Sequence, residues 1–206
     1  MSFNTDLLHA GVDREAKGAT LTPIYQSSAF EQDTAADLEK IFENKAPGFC
    51  YTRVGNPTVA AFENRITKLE GGMASIACAS GMAAIMNAIL NIVRSGDEIV
   101  SSASLYGGSI DLFRDIEEFG ITTRYVKNND WEAIEEAINE HTRLIFAETI
   151  GNPCLDVTDV ERLAQIAHEH KIPLILDNTT ATAYLFQGIK HGADIDCRHL
   201  PMLFSR

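Results

Sequence analysis

The 206 residues predict an α/β protein, a mostly parallel sheet with helices on both faces. Three observations carry this. From Thr58 onward, short apolar runs alternate with segments of helical period. Runs such as Leu144 to Glu148 and Leu174 to Leu176 suit strands covered on both sides. Polar residues of chemical interest fall mainly just after those runs, at the carboxyl ends of strands, where open α/β sheets bind ligands.

Residues 1 to 57 read as irregular, rich in turn residues and poor in periodic runs. Thr58 to Glu70 reads as a helix, with Asn56 as cap, Pro57 in the first turn and Gly71-Gly72 as the stop. Ser75 to Ala79 reads as a short apolar strand and Met82 to Val93 as a buried helix. The alternation continues with a strand at Glu98 to Ala103 and a helix at Ser109 to Glu118. A strand at Ile121 to Val126 and a helix at Trp131 to Asn139 follow, then a strand at Leu144 to Glu148. Val160, Leu163, Ala164 and Ala167 make one apolar helix face, and Leu174 to Leu176 is the next strand, ending at Asp177.

At 45% hydrophobic and 22% charged residues, the chain can build one substantial core. A formal net charge of -12 opposes a polyanion, so no nucleic acid is expected as partner. The acidity suits a cytoplasmic protein. Cys50, Cys78, Cys154 and Cys197 show no C-x-x-C spacing, so neither a zinc site nor a disulfide framework is expected. The start lacks the basic-then-apolar order of a secretory signal. Asn87 and Asn91 break the most apolar stretch, so no membrane partner is expected.

Several short motifs could carry chemistry. In Ala79-Ser80-Gly81-Met82-Ala83, Gly81 lets an anion approach the amides of the following helix, and Ser80 can add a bond. An ordinary serine-capped turn would read the same. Asp177 ends a buried strand; it suits a protonated heterocyclic nitrogen, a helix cap or a metal. Tyr106-Gly107-Gly108 can stack a ring on a planar ligand, or be a core tyrosine beside a turn. Asn152, in Glu148-Thr149-Ile150-Gly151-Asn152-Pro153, could bond a phenolic oxygen or simply turn the chain. Tyr51 and Arg53 suit a phosphate dianion or a solvated loop.

Taken in order, these segments resemble the Cys/Met-metabolism group of fold-type-I pyridoxal-phosphate (PLP) enzymes. The resemblance runs from about Leu8 to Ile195 through HAG, PIYQSSAF, YTRVGNPT, FENRITKLEGG, ASGMAAI, GDEIVSS, LYGG, ETIGNP, LDNT and HGADI. Within the group, LYGGSIDLF and ETIGNP are most similar to the O-acetylhomoserine sulfhydrylase branch. Cystathionine synthases and lyases and methionine γ-lyase are close relatives with the same cofactor site.

The resemblance implies pyridoxal 5'-phosphate as cofactor and an incomplete fold-type-I large domain. Ser80, Gly81 and Met82 would hold the phosphate. Tyr51 and Arg53 would reach the phosphate of a neighbouring subunit, implying a homo-oligomer, a dimer or tetramer. Tyr106 would stack on the ring and assist catalysis, Asn152 would contact the ring oxygen, Asp177 would keep the ring nitrogen protonated, and Thr179 would support the ring. The implied activity is γ-replacement on O-acetylhomoserine by sulfide or a thiol, giving homocysteine or methionine, with residues 1–57 as an arm and 58–195 as the large domain. The implied sheet has seven strands.

The pattern breaks in residues 196–206, an aberrant tail. The family's Ser-x-Thr-Lys, whose lysine forms the Schiff base, would end near position 202. Asp196, Cys197, Arg198, His199, Leu200, Pro201 and Met202 stand there instead. Lys190 precedes the strand that the family's lysine follows, and five residues of strand span about 17 Å, so it offers no substitute. Cys197 and His199 could also be read as a nucleophile or metal pair. The expectation is a carboxy-terminally truncated chain, altered by a frame change or a damaged gene, that lacks the small domain and turnover; the alternatives are a non-catalytic PLP-binding fragment, or a family member of the cystathionine synthase or lyase or methionine γ-lyase type.

Overall fold

One parallel sheet organises the carboxyl-terminal part of the chain. In the computed structural model, residues 2–11 and 18–199 are described. The strands are β1 (Glu98–Ser102), β2 (Thr122–Val126), β3 (Thr142–Glu148), β4 (Leu174–Asp177) and β5 (Ile195–Cys197). They hydrogen-bond in the order β2-β1-β3-β4-β5, each neighbouring pair parallel. Five strands rather than seven are therefore present among the described residues.

The central strands β1, β3 and β4 are buried from both sides, their successive side chains pointing into opposite helix layers. Ile99, Leu144, Phe146 and Ile175 pack with Ile85, Ile89, Phe113 and Ile116. These come from α4 (Gly81–Ile92) and α5 (Gly107–Glu117). The alternate residues Val100, Ile145, Ala147, Leu174 and Leu176 pack with Ile134, Val160, Leu163 and Ile166, which belong to α6 (Trp131–Ala137) and α7 (Val160–Glu169). The expected arrangement of helices on both faces is present.

The chain divides between Ala77 and Cys78 into two compact units. In the first, α3 (Pro57–Glu70) starts where expected. Asn56 accepts from the Thr58 N–H at 2.8 Å, and Gly71 ends the helix in the left-handed conformation, φ 70°. Residues 1–57 are not wholly irregular. They hold α1 (Phe3–His9) and α2 (Ala35–Phe42), whose starts are capped by the Ser2 and Thr34 hydroxyls. Lys68 pairs with Asp6 at 2.9 Å, and Arg65 donates to the Ala10 carbonyl at 2.8 Å, tying α1 to α3.

The expected strand at Ser75 to Ala79 does not form. A strand requires a neighbour for its ladder, and the Ala77 N–H instead donates to the Glu63 side chain at 2.8 Å. Ile76 is 85% exposed. Beyond Asp177 the chain forms the short α8 (Thr182–Leu185), a 3₁₀ turn at Gly188–His191, and β5.

Candidate functional site

The sheet winds in two directions from β1. β2 lies on one side of it and β3 on the other, so the crevice outside the carboxyl ends of β1 and β3 is the topological switch point. Tyr106 follows β1 there, at the cap of α5. The residue is 52% exposed and its ring lies over Gly108: a Cβ on that glycine would sit 2.5 Å from the Tyr106 ring carbon Cε1. The glycine therefore makes room for the ring.

Across the crevice, Glu148 ends β3 and is 6% exposed. Its Oε1 accepts the Tyr106 backbone N–H at 2.7 Å. Burial pushes its carboxyl up to about 7; the Tyr106 and Asn152 amides oppose this, while Asp177 and Asp156 add repulsion. Asn152 itself is exposed in the turn that follows.

Asp177 ends β4, in register with Glu148. Its Oδ1 accepts the Thr179 N–H at 2.9 Å and the Thr179 hydroxyl at 2.5 Å. Burial raises its pKa against those bonds and the nearby charges of Arg198 and His199. Thr179 thus holds the aspartate, and its hydroxyl accepts the His199 N–H at 2.8 Å.

Ser80 caps α4, accepting the Ala83 N–H at 3.1 Å. That leaves the Gly81 and Met82 amides as the free first-turn donors that favour an anion. A Cβ on Gly81 would lie 2.6 Å from the His199 Cβ, so the base of the His199 side chain stands against Gly81. The Met82 side chain packs into the core, so its contribution to a ligand is the backbone amide.

Tyr51 and Arg53 lie in the first unit. Both are exposed, and the Arg53 guanidinium sits 5.3 Å from the Tyr51 ring centroid. Beside Asp177, Arg198 and Asp196 form a buried ion pair at 2.7 Å, with side chains 7% and 2% exposed. Burial pushes the Cys197 thiol up to about 12, which argues against Cys197 as a nucleophile. Met202, where the family's lysine is expected, lies outside the described residues.

The donor set suits a phosphorylated aromatic heterocycle. It offers helix amides and a hydroxyl for the phosphate, a carboxylate at a strand end for a ring nitrogen, and an exposed aromatic face. Sequence reasoning passed over Glu148. A glutamate closing the apolar run Leu144-Ile145-Phe146-Ala147 was the available signal.

Comparison with known proteins points to the same class of cofactor. The family described as Cys/Met metabolism PLP-dependent enzyme matches residues 4–199, four residues beyond Ile195. An O-acetyl-L-homoserine sulfhydrylase of Corynebacterium glutamicum is 44% identical, over 98% of this chain and 47% of its own length. An L-methionine gamma-lyase of Fusobacterium nucleatum is 37% identical, over 94% of this chain and 49% of its own length. The crystal structure of a putative O-acetylhomoserine (thiol)-lyase from Campylobacter jejuni carries a pyridoxyl-lysine monophosphate. It superposes with a TM-score of 0.92 at 34% identity, over 97% of this chain and 49% of that one. The chain spans about half the length of the curated relatives it matches.

Proposed function

The chain belongs to the Cys/Met metabolism PLP-dependent enzymes, and from that premise we propose that it is the cofactor-holding part of an O-acetylhomoserine γ-replacement enzyme. In that reaction acetate leaves the γ-carbon and sulfide or a thiol adds. We further propose that this chain binds PLP without a covalent link and does not turn over, because Met202 stands where the lysine belongs. The observation that carries PLP binding is Asp177: a half-buried carboxyl at a strand end, clamped by Thr179, in the same crevice as Tyr106 and Glu148.

Bound PLP supplies an electron sink for bonds breaking on an amino acid. The chain's residues would hold and orient it. The Gly81 and Met82 amides and the Ser80 hydroxyl would take the phosphate. Asp177 would hold the ring-nitrogen proton, and Thr179 would fix the carboxyl that does so. Tyr106 would cover one face of the ring, and Asn152 would bond its oxygen. The paired, exposed Tyr51 and Arg53 suit the phosphate of a neighbouring copy in a homo-oligomer. The acidic composition suits a cytoplasmic setting. The likeness to an L-methionine gamma-lyase supports a second reading, γ-elimination at the same site.

Thermal melting with and without PLP tests cofactor binding. A cooperative transition that PLP raises is expected, and an unshifted melt would exclude the site. Borohydride treatment followed by mass spectrometry tests the missing link. No PLP-modified lysine is expected, and modification of Lys190 or any other lysine would overturn the non-covalent reading.

A further inference from the structure

Glu148 has no part in the contacts assigned above, yet it sits at their centre. Its strand end is held in place. The Thr158 hydroxyl donates to the Glu148 carbonyl at 2.6 Å, and the Thr149 and Asn178 side chains bond at 2.8 Å. Its carboxyl is turned to the start of α5, an 11-residue helix whose cap residue, Tyr106, has no side-chain cap of its own. A carboxylate there satisfies a free N–H and suits the helix dipole. Because Tyr106 is the residue it grips, the same bond orients the tyrosine Cα–Cβ direction and hence the ring.

We propose that Glu148 is a positioning residue that aims the Tyr106 ring at the cofactor by capping α5 across the β1/β3 switch point. This rests on the assignment of Tyr106 to the ring face, and the two can fail separately.

The first test needs no cofactor. In the 206-residue chain, the Tyr106 amide proton should titrate with Glu148, near pH 7. Asp156 and Asp177 also face Glu148, and Arg198 and His199 lie beside Asp177. The titration should therefore vanish in Glu148→Gln, which keeps an acceptor without the charge. Amide exchange at Tyr106 should accelerate roughly tenfold or more in Glu148→Ala and stay near wild type in Glu148→Gln. A Tyr106 amide that does not respond to pH, or exchanges equally fast in Glu148→Ala, overturns the proposal.

The second test is a double-mutant cycle on PLP affinity. Glu148→Ala should weaken binding in the wild-type background and add nothing in Tyr106→Ala. Additive losses overturn the positioning role. An unchanged affinity in Tyr106→Ala overturns the ring-face assignment instead, while the amide measurements still decide the role of Glu148.

Discussion

The Tyr106 N–H donates to the Glu148 carboxylate at 2.7 Å, joining the ends of β1 and β3 across the point where the sheet changes its direction of winding. The partners are 42 residues apart in sequence. The bond sets a carboxyl against the backbone of an exposed tyrosine.

Stability should carry the mark of that carboxyl. The folded pKa of Glu148 is raised to about 7 from an ordinary 4.5, so the native state holds the extra proton between these values. The contribution is full below about pH 4.5 and is lost as pH rises through 7. Denaturant melts from pH 5 to 8 should show a declining component that Glu148→Gln removes. An unchanged slope in the variant would refute the assignment.

Asp177→Asn should move two quantities in opposite directions. Burial disfavours the aspartate charge, so the isosteric amide should raise the melting temperature of the cofactor-free chain. PLP affinity should fall by about tenfold to a hundredfold, the worth of a charge-assisted bond. Calorimetric titration of PLP beside thermal melts measures both.

Gly81→Ala should damage the cradle. The new Cβ would lie 2.6 Å from the His199 Cβ, and relief requires moving the backbone whose N–H bonds Thr179 at 2.8 Å. A stability loss of about 1–3 kcal/mol is expected, together with a smaller PLP-induced rise in melting temperature.

Arg198→Ala would leave Asp196 buried without its partner at 2.7 Å. A loss of about 3–5 kcal/mol is expected in urea unfolding. A loss below 1 kcal/mol would show that the pair is not buried in solution.

The helices α3 to α7 and the strands β1 to β4 were legible because their signals are local. Asn56 and Gly71 bracket α3 through bonds to near neighbours, and apolar runs such as Leu144 to Glu148 declare a strand covered on both faces. The positions of Tyr106 and Asn152 after strands, and of Asp177 at a strand end, followed from the same pattern; Ser80 follows no strand, because the one expected before it does not form. Ser75 to Ala79 misled because an apolar run becomes a strand only where a partner edge exists, and the Ala77 N–H goes to Glu63 instead. β5 carries no apolar run of its own and was expected only through the family resemblance: three residues, one of them Asp196, become a strand through the edge that β4 offers.

By itself, then, the sequence determined the alternating elements, while the candidate cofactor contacts and a lysine near position 202 are what its family resemblance implies. The tertiary structure alone decided which strand ends adjoin. Strand order is a long-range property, and only the placement of β1 beside β3 turns Glu148 from a polar residue closing an apolar run into the group that holds Tyr106.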